Sequence, residues 1–249
     1  WAKKPVEKRW AMLYSQFDRV VSPSRYIAQR LEEAGIENIF IRPLGVEIDT
    51  FRPDRRDRQW LLDKLGLDAD ARLLCFAGRP AKEKNVAVLI DAVQKLGAPY
   101  HLVLVGAGSG MPAEDRVIAL PYEKDPRAVA KIIASCDAFV HANDKEPFGL
   151  IVLEAMACGR PVVGVNAGGV AETVDESVGQ LAGRADADDY AQAVEALFAR
   201  DIEAIGRAAR AKAESQFAWN RVFEDLCMLY GDLTGDAAFV QPSGAWAVH

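Results

Sequence analysis

Two glutamates eight residues apart are the first residues in this sequence whose types and spacing could do chemistry. Glu154 interrupts an otherwise apolar or small run from Leu150 to Gly159, and Glu146 stands just before Pro147, upstream of that run. A buried carboxylate without a partner is costly, so Glu154 must meet a cation of the protein or a polar group of a ligand. The pattern therefore indicates either a buried ion pair beside a solvated loop acid, or a ligand site at the start of a helix.

The start of that helix offers a site for phosphate. If the helix begins near Phe148 and Gly149, its free N–H groups and the positive end of its dipole face a ligand, and such an end favours anions. If all eight residues were helical, Glu146 and Glu154 would lie about 12 Å apart along the axis. That length is the scale of a nucleoside diphosphate-sugar, with the sugar hydroxyls at Glu146 and the ribose hydroxyls at Glu154.

Two further turns carry residues suited to phosphate. The segment "GRPAKEKN" brings Gly78, Arg79 and Lys84 after one strand-like run, where two cations can neutralise a diphosphate and arginine can bind it through two hydrogen bonds. The segment "GAGSG", Gly106 to Gly110, follows the next run, and glycines there let a phosphate approach backbone N–H groups. Ordinary surface charges and a plain flexible turn account for the same residues. The sequence has neither the Walker-A lysine pattern nor the dinucleotide glycine fingerprint at these turns.

The elements that would position these residues form a regular alternation from Arg72 onwards. Continuous apolar strands separated by amphipathic helices are typical of a parallel sheet covered on both faces. We therefore predict a doubly wound α/β domain over about residues 66–200, with its ligand beyond the carboxyl ends of the strands. The predicted strands are "LLCFAG", "YHLVLVG", "VIALP", "DAFVHA" and "PVVGV", and the predicted helices are Asn85–Leu96, Pro126–Ala134, Leu150–Cys158, Ala187–Ala199, Asp201–Gln216 and Trp219–Tyr230.

The first fifty residues predict a smaller β-α-β fragment. Asp18 to Val21 has the pattern of a short strand, Ser24 is a candidate N-cap of a helix that Gly35 ends, and "NIFIRPLGVEID" predicts a second strand. The segment "TFRPDRRDRQ" predicts a polar connection. A fragment of this size is too small to form a good sheet alone. The tail "TGDAAFVQPSGAWAVH" lacks periodicity, so we expect it to be loosely ordered.

Composition and charge narrow the classes of function. The chain has 249 residues, of which 50% are hydrophobic and 27% charged, and its net charge of −6 gives no support to a nucleic-acid partner. Residues 1–58 carry 12 basic and 9 acidic side chains, which we interpret as scattered solvated charge. Four separated cysteines in apolar surroundings indicate buried free thiols and a reduced, cytoplasmic compartment. No apolar run approaches the roughly 18 residues of a membrane span.

The stretch "EPFGLIVLEAMACGRPVV" resembles the E-x7-E signature of retaining GT-B glycosyltransferases, especially the large GT4-like family of group 1 glycosyl transferases. Other segments follow in matching order: "FAGRPAKEKN" resembles the phosphate segment of the family, "LVLVGAGSG" its V-G-x-G turn, and "SCDAFVHA" and "NAGGVAETV" the flanks of the signature. The segments "VVSPSRYIAQRLEEAG" and "PLGVEIDTFRP" resemble the end of the family's first domain and the interdomain connection. The similarity covers residues 17–230 and is specific as a combination.

The resemblance implies roles for individual residues. Arg79 and Lys84 would bind the donor diphosphate and stabilise the leaving group, and Glu146 would contact the transferred sugar, so these three are the catalytic candidates. Glu154 would hold the ribose. The donor would also contact Gly78, Gly106, Phe148, Gly149 and Leu150, with the base near the backbone of Leu120 and Pro121. His141 and its neighbour stand where the family has Pro-Ser, and we expect His141 to support the site rather than to touch the donor.

The resemblance also implies a division of the chain. Residues 1–52 would be the end of an N-terminal acceptor domain with its connection, 53–216 the nucleotide-sugar-binding Rossmann-like domain, 217–231 a crossover helix and 232–249 a tail. On this interpretation the chain supplies mainly the donor-binding half of a transferase, and the rest of the first domain would be missing from it. The acceptor would be a glycan, a lipid-linked or a small molecule. The setting would be the cytoplasm or the inner face of the membrane, with peripheral contact through the N-terminal domain.

The predicted reaction moves a sugar from a UDP- or GDP-linked donor to an acceptor hydroxyl, with retention at the anomeric carbon. No metal and no other cofactor are expected, because cations and a helix end would stabilise the leaving group. Two alternatives stay open. A non-catalytic nucleotide-sugar-binding or regulatory module would need the same glutamates and cations. A GT-B sugar-nucleotide epimerase is disfavoured by the E-x7-E spacing together with Arg79 and Lys84.

Overall fold

The computed structural model of the protein describes residues 11–79, 81–107 and 114–235. Its strands are β1 (Val20–Ser22), β2 (Ile39–Ile41), β3 (Arg72–Ala77), β4 (Tyr100–Val105), β5 (Val117–Leu120), β6 (Ala138–Val140), β7 (Val162–Val165) and β8 (Gly179–Ala182). Its helices are α1 (Arg25–Glu33), α2 (Arg58–Leu65), α3 (Val86–Leu96), α4 (Pro126–Ser135), α5 (Leu150–Ala157), α6 (Val170–Thr173), α7 (Ala187–Phe198), α8 (Ile202–Phe217) and α9 (Trp219–Thr234), with short 3-10 helices at Pro53–Arg55 and Lys82–Lys84.

The main sheet consists of parallel strands in the order β5-β4-β3-β6-β7-β8. Side chains alternate between the two faces of a strand, and both faces are covered here. In β3, Leu73 and Cys75 pack into one buried apolar cluster, whereas Leu74 and Phe76 pack into the other. Helices cover both faces of the sheet, because both faces carry apolar side chains that must be buried. The predicted doubly wound, Rossmann-like α/β fold is therefore confirmed.

The direction of winding reverses between β3 and β6. From β3 the chain adds β4 and β5 on one side, and it then returns to add β6, β7 and β8 on the other. The loops that leave two strands at such a reversal diverge, and they leave a crevice beyond the carboxyl ends of the strands. The loop after β3 begins at Gly78 and the loop after β6 begins at His141. These two loops therefore border the crevice in which a ligand is expected.

The predicted strands and helices of the main domain are present, with ends that differ by a few residues, but β8, α2 and α6 were missed. The strand β8 contains a glycine and a glutamine, so it lacks the apolar, β-branched pattern on which strand prediction depends. The helix α2 begins inside the segment predicted as a polar connection, because Asp57 caps it by accepting the N–H of Trp60 at 3.2 Å. The helix α9 continues to Thr234. Residues 236–249 of the predicted tail lie outside the described residues.

The predicted β-α-β fragment consists of β1, α1 and β2. β1 and β2 pair in parallel, with Val20 opposite Ile39. Ser24 caps α1 as predicted, since its hydroxyl accepts the N–H of Ile27 at 3.2 Å. Farther along, Val46 forms a parallel bridge with Ala218, which lies between α8 and α9. The connection between the fragment and the main sheet therefore lies against the junction of these two helices. The division of the chain at residue 52 stays a prediction.

The cysteines are free thiols. Cys75, Cys136 and Cys158 are buried, as predicted, whereas Cys227 is only partly buried. Burial raises the pKa of the Cys158 thiol well above its usual range, so this side chain packs as a small apolar group. Across the described residues, no helix combines the length and the apolar character needed to cross a membrane.

Arg210 of α8 joins three segments of the main body. Its Nη1 lies 2.8 Å from the carbonyl oxygen of Ala157 at the end of α5, and 2.7 and 3.1 Å from those of Phe51 and Ile48 in the connection. A cation at the end of a helix bonds its unpaired carbonyls and opposes the negative end of its dipole. The guanidinium therefore holds the connection and the helix that carries Glu154 against α8.

We predict that Arg210→Met lowers the free energy of unfolding by about 2 kcal/mol, because three carbonyls lose a charged donor. Urea unfolding followed by circular dichroism measures the change. Arg207→Met is the matched control: Arg207 lies on the same helix and is exposed, so its loss should change stability by less than about 0.5 kcal/mol. Equal losses of stability in the two variants would contradict the role of Arg210.

Candidate functional site

A cleft of about 640 Å³ opens beyond the carboxyl ends of the central strands. Most of the predicted donor-binding residues line it together: Gly78, Arg79, Lys84, Gly106, Glu146, Phe148, Gly149, Leu150 and Glu154. They come from the loop after β3, the turn after β4 and the start of α5. The β-α-β fragment contributes Pro23, and Leu44 follows β2 onto the same wall.

Two predicted residues, Leu120 and Pro121, are not among the residues that line the cleft. The carbonyl of Leu120 accepts the N–H of Gly106 at 3.1 Å, because the pairing of β4 with β5 continues to that point. Tyr122 and Glu123, which follow next, line the cleft instead, and Tyr122 is 70% exposed. Sequence reasoning missed Tyr122, although an aromatic residue just after a strand end was the available signal. Residues 108–110 of the glycine-rich turn lie outside the described residues.

Three side chains surround one carboxylate oxygen of Glu146. Its Oε2 accepts hydrogen bonds from Nζ of Lys84 at 2.7 Å and from Nδ2 of Asn143 at 2.9 Å. Nε2 of His141 lies 3.2 Å from the same oxygen, at an angle outside that of a well-formed hydrogen bond. In the part of the chain that the structure describes, no donor bonds Oε1. That oxygen is therefore available to a ligand.

These neighbours keep Glu146 ionised. Contact with His141, and to a smaller extent with Lys84, lowers the pKa of the Glu146 carboxyl to about 2, although partial burial acts in the opposite direction. An ionised carboxylate accepts hydrogen bonds and donates none, which suits the hydroxyl groups of a sugar. His141 is only 1% exposed and lies beside the carboxylate rather than on the wall of the cleft. Its expected supporting role stays a prediction.

The turn that carries Glu146 is fixed through its backbone. The N–H of Gly169 donates to the carbonyl of Glu146 at 2.8 Å, and a Cβ at Gly169 would lie 2.5 Å from the carbonyl oxygen of Pro147. Only glycine permits this approach of the two backbones. From another direction, the hydroxyl of Ser24 donates to the carbonyl of Pro147 at 2.6 Å. Segments distant in sequence thus hold the turn in place.

The helix α5 begins with unpaired N–H groups at the cleft. Gly149 precedes it with a φ of 96°, in the left-handed region that favours glycine. Within the described ranges, the N–H groups of Gly149, Leu150 and Ile151 meet no acceptor, and all three residues line the cleft. Only the last four of the eight steps from Glu146 to Glu154 are helical, which gives about 6 Å of axial rise. The 12 Å estimate assumed an all-helical segment, so it does not apply to this site.

Glu154 lies on the wall of the cleft, just over one turn inside α5. None of the described residues donates a hydrogen bond to its carboxylate, so the alternative of a buried ion pair is not found there. Burial raises the pKa of the Glu154 carboxyl to about 7. Near neutral pH this group can therefore both donate and accept hydrogen bonds, as neighbouring hydroxyls of a ligand would require.

Arg79 and Lys84 reach the cleft from the loop after β3. Lys84 is held by Glu146, whereas Arg79 is exposed, and no partner of its side chain is found among the described residues. The amide of Asn85 donates to the carbonyl of Ala142 at 2.9 Å, which ties the loop after β3 to the loop after β6. The two cations and the start of α5 supply the cleft with the positive groups that an anion needs. In the described part of the chain, no group of three or more His, Cys, Asp or Glu could hold a metal ion.

The chain is similar to known glycosyl transferases. The family model described as glycosyl transferases group 1 matches residues 57–214. The chain belongs to this family. One relative, the D-inositol 3-phosphate glycosyltransferase of Xylanimonas cellulosilytica, is 32% identical over 240 residues, which are 87% of this chain and 57% of the relative. This glycosyl transferase chain spans about half the length of the curated relatives it matches.

Solved structures with the same fold include two from cyanobacteria. The sucrose-phosphate synthase of Thermosynechococcus elongatus superposes with a TM-score of 0.80 at 24% identity, over 94% of this chain and 62% of that one. HepE of Anabaena, in a complex with UDP-glucose, also gives 0.80, at 23% identity over 92% and 68% of the two chains. These similarities confirm the GT-B-type fold predicted for this group 1 glycosyl transferase.

The raised pKa of Glu154 predicts that this residue destabilises the empty glycosyl transferase chain at neutral and alkaline pH. The carboxyl has a pKa of about 7 in the folded chain, against the ordinary value of 4.5, so the folded state loses stability as the pH rises through this interval. Glu154→Gln should raise the free energy of unfolding at about pH 8 by on the order of 3 kcal/mol. Near pH 4 the same substitution should change stability little.

Urea unfolding at both pH values measures this difference. Glu195→Gln is the matched control, because Glu195 is an exposed glutamate of α7 whose replacement should have the same small effect at both pH values. A stabilisation by Glu154→Gln that does not increase between acid and alkaline pH would contradict the assignment.

Proposed function

We propose that this chain is the donor-binding half of a retaining glycosyltransferase that uses a UDP- or GDP-linked sugar. The observation that carries the proposal is that one cleft contains Glu146, the free start of α5, Glu154 and the two cations Arg79 and Lys84. These groups suit the successive parts of such a donor, which are the sugar hydroxyls, the diphosphate and the ribose. The sugar would pass to an acceptor hydroxyl with retention at the anomeric carbon.

The positive groups account for binding and release of the diphosphate. Arg79 can contact two phosphate oxygens at once, Lys84 adds a point charge, and the unpaired N–H groups from Gly149 to Ile151 add hydrogen bonds at the positive end of the helix dipole. As the bond to the sugar breaks, negative charge develops on the leaving diphosphate, and these positive groups would stabilise it. The proposal therefore includes no metal and no other cofactor.

Glu146 and Glu154 would bind the sugar and the nucleoside of the donor. Glu146 is ionised and presents Oε1, which can accept hydrogen bonds from sugar hydroxyls. Glu154 has no partner among the described residues and can bond the ribose hydroxyls. The base would lie near the backbone of Leu120 and Pro121, as the family resemblance implies, and Tyr122 at the cleft edge could stack against it.

The comparisons support this choice of substrates. HepE of Anabaena was solved with UDP-glucose, so UDP-sugars are the first donors to test. The curated relatives are named for D-inositol 3-phosphate, which makes it the first acceptor to test. In this proposal residues 53–216 bind the donor, and residues 1–52 and 217–231 connect them to an acceptor-binding part. The free thiols support a reducing, cytoplasmic setting.

The first prediction from this proposal concerns the nucleotide. Either UDP and UDP-glucose or GDP and GDP-mannose should raise the Tm of the chain, since a ligand at 100 times its Kd stabilises a protein by about 2.7 kcal/mol. In calorimetry with the better nucleotide, Arg79→Ala and Lys84→Ala should each weaken binding about tenfold, because each removes a charge-assisted hydrogen-bond donor. In a form of the protein that turns over donor, the loss of rate should reach about 10²–10³.

Lys82→Ala is the control for these variants. Lys82 lies in the same 3-10 helix as Lys84, but it is exposed and does not line the cleft, so its loss should leave affinity unchanged. Wild-type affinity in both Arg79→Ala and Lys84→Ala would contradict the diphosphate assignment. In a form of the protein that includes an acceptor-binding part, tight binding without any release of nucleotide from the sugar donor, with acceptor present, would favour the non-catalytic binding module.

A second prediction separates the ribose from the phosphates. Glu154→Ala should weaken binding of the preferred nucleoside diphosphate about tenfold, because the ribose hydroxyls lose their partner. Binding of inorganic diphosphate, which has no ribose, should not change. Calorimetry with the two ligands measures both effects, and unchanged nucleotide affinity in Glu154→Ala would refute the ribose role.

A further inference from the structure

The start of α1 is bonded to a residue far away in the sequence. Glu172 of α6 accepts the backbone N–H of Arg25 through Oε2 at 2.7 Å and that of Tyr26 through Oε1 at 2.6 Å. Ser24 accepts the N–H of Ile27 at 3.2 Å. The first three N–H groups of α1, which have no partner inside the helix, are thus all satisfied. Two of them are satisfied by the main body rather than by the β-α-β fragment itself.

The same residues also hold the turn that carries Glu146. The hydroxyl of Ser24 donates to the carbonyl of Pro147 at 2.6 Å, and Ser24 is only 2% exposed. The N–H of Gly169, which precedes α6, donates to the carbonyl of Glu146 at 2.8 Å. Three segments are therefore joined pairwise: α1 to the turn through Ser24, α6 to the turn through Gly169, and α6 to α1 through Glu172.

We propose that this triangle of hydrogen bonds positions the Glu146 turn for the sugar end of the donor, with Ser24 and Glu172 as its positioning residues. The inference rests on the proposed function, because it assumes that Glu146 meets the transferred sugar. Neither Ser24 nor Glu172 lines the donor cleft, so they act through the turn and not by touching the donor. A small displacement of a positioned group costs much of its effect on a ligand.

The triangle should affect one end of the donor more than the other. Glu154 lies inside α5 and Arg79 lies in the loop after β3, and neither is bonded to the three segments. The contacts of Glu154 and Arg79 with ribose and diphosphate therefore survive when the triangle is opened, whereas Glu146 moves together with Lys84, which bonds it at 2.7 Å. Loss of Ser24 or Glu172 is thus expected to weaken binding of a nucleotide-sugar more than binding of the nucleoside diphosphate.

Calorimetry on the full chain with UDP and with UDP-glucose tests this expectation. If the wild-type chain prefers GDP and GDP-mannose, these two ligands are used instead. Ser24→Ala and Glu172→Ala should each weaken binding of the nucleotide-sugar roughly five- to tenfold, the effect of one or two hydrogen bonds. Each should weaken binding of the nucleoside diphosphate much less, because Lys84 alone among its charged contacts is bonded to Glu146. The double variant should lose little more than either single one, because the triangle is already open. Glu172→Gln keeps an acceptor oxygen and should recover part of the affinity.

Asp201→Ala is the matched control for a purely structural effect. Asp201 caps α8 by accepting the N–H of Ala204 at 2.9 Å, so its loss should lower the Tm without changing the ratio of the two affinities. If Ser24→Ala and Glu172→Ala lower the Tm in the same way and also keep the wild-type ratio, they are ordinary helix caps and the positioning role is overturned. If the wild-type chain binds none of the four ligands, it is the proposed function that fails, which is a separate result.

Discussion

The reversal of winding between β3 and β6 is the constraint on which the rest of this structure depends. Two neighbouring parallel strands end at the same edge of the sheet, but the chain leaves them in opposite directions, so the backbone cannot fill the space between their loops. The residues that could bind a ligand enter this space from both sides, Lys84 from one loop and Glu146 from the other, and the two side chains meet at 2.7 Å. The amide of Asn85 bonds the opposite loop at Ala142. The crevice is thus held at a fixed width by its own side chains.

Within this crevice, two residues of the same type have opposite electrostatic environments. Glu146 has His141 and Lys84 beside one carboxylate oxygen, and these neighbours lower its pKa to about 2. Glu154 is buried without a described partner, and burial raises its pKa to about 7. The charge of Glu146 costs little stability, because its partners belong to the protein and hold the carboxylate in place before a ligand binds. Glu154 costs stability while the cleft is empty, and a ligand that supplies hydroxyl groups would restore that stability on binding. The proposed contact with the ribose hydroxyls would account for this cost.

The sequence was sufficient to predict whatever depends on short-range patterns. The alternation of apolar strands and amphipathic helices predicted the sheet, and the lone acid in an apolar helix identified the wall of the cleft. Ser24 was recognisable as a helix cap from its type and position. The length estimated from Glu146 to Glu154 does not apply, because it assumed a helix throughout, whereas Gly149, with its positive φ, precedes the start of the helix. The strand β8 was missed because its sequence is too polar for a buried strand.

Contacts between distant segments could not be predicted in this way. The bond from Glu172 to the start of α1 joins residues 146 and 147 positions apart, and nothing near Glu172 in the sequence marks it as a helix cap for another element.

Residues of the β-α-β fragment also form part of the cleft proposed to bind the donor. Pro23 and Leu44 lie on the cleft wall, and Ser24 holds the turn of Glu146, yet all three precede residue 53, where the predicted nucleotide-sugar domain begins. The β-α-β fragment is too small to be stable as a sheet alone, so it depends on the main body for its own order, and the main body depends on it for part of the cleft. The fragment and the Rossmann-like unit therefore share one cleft, and the division of the chain at residue 52 stays a prediction.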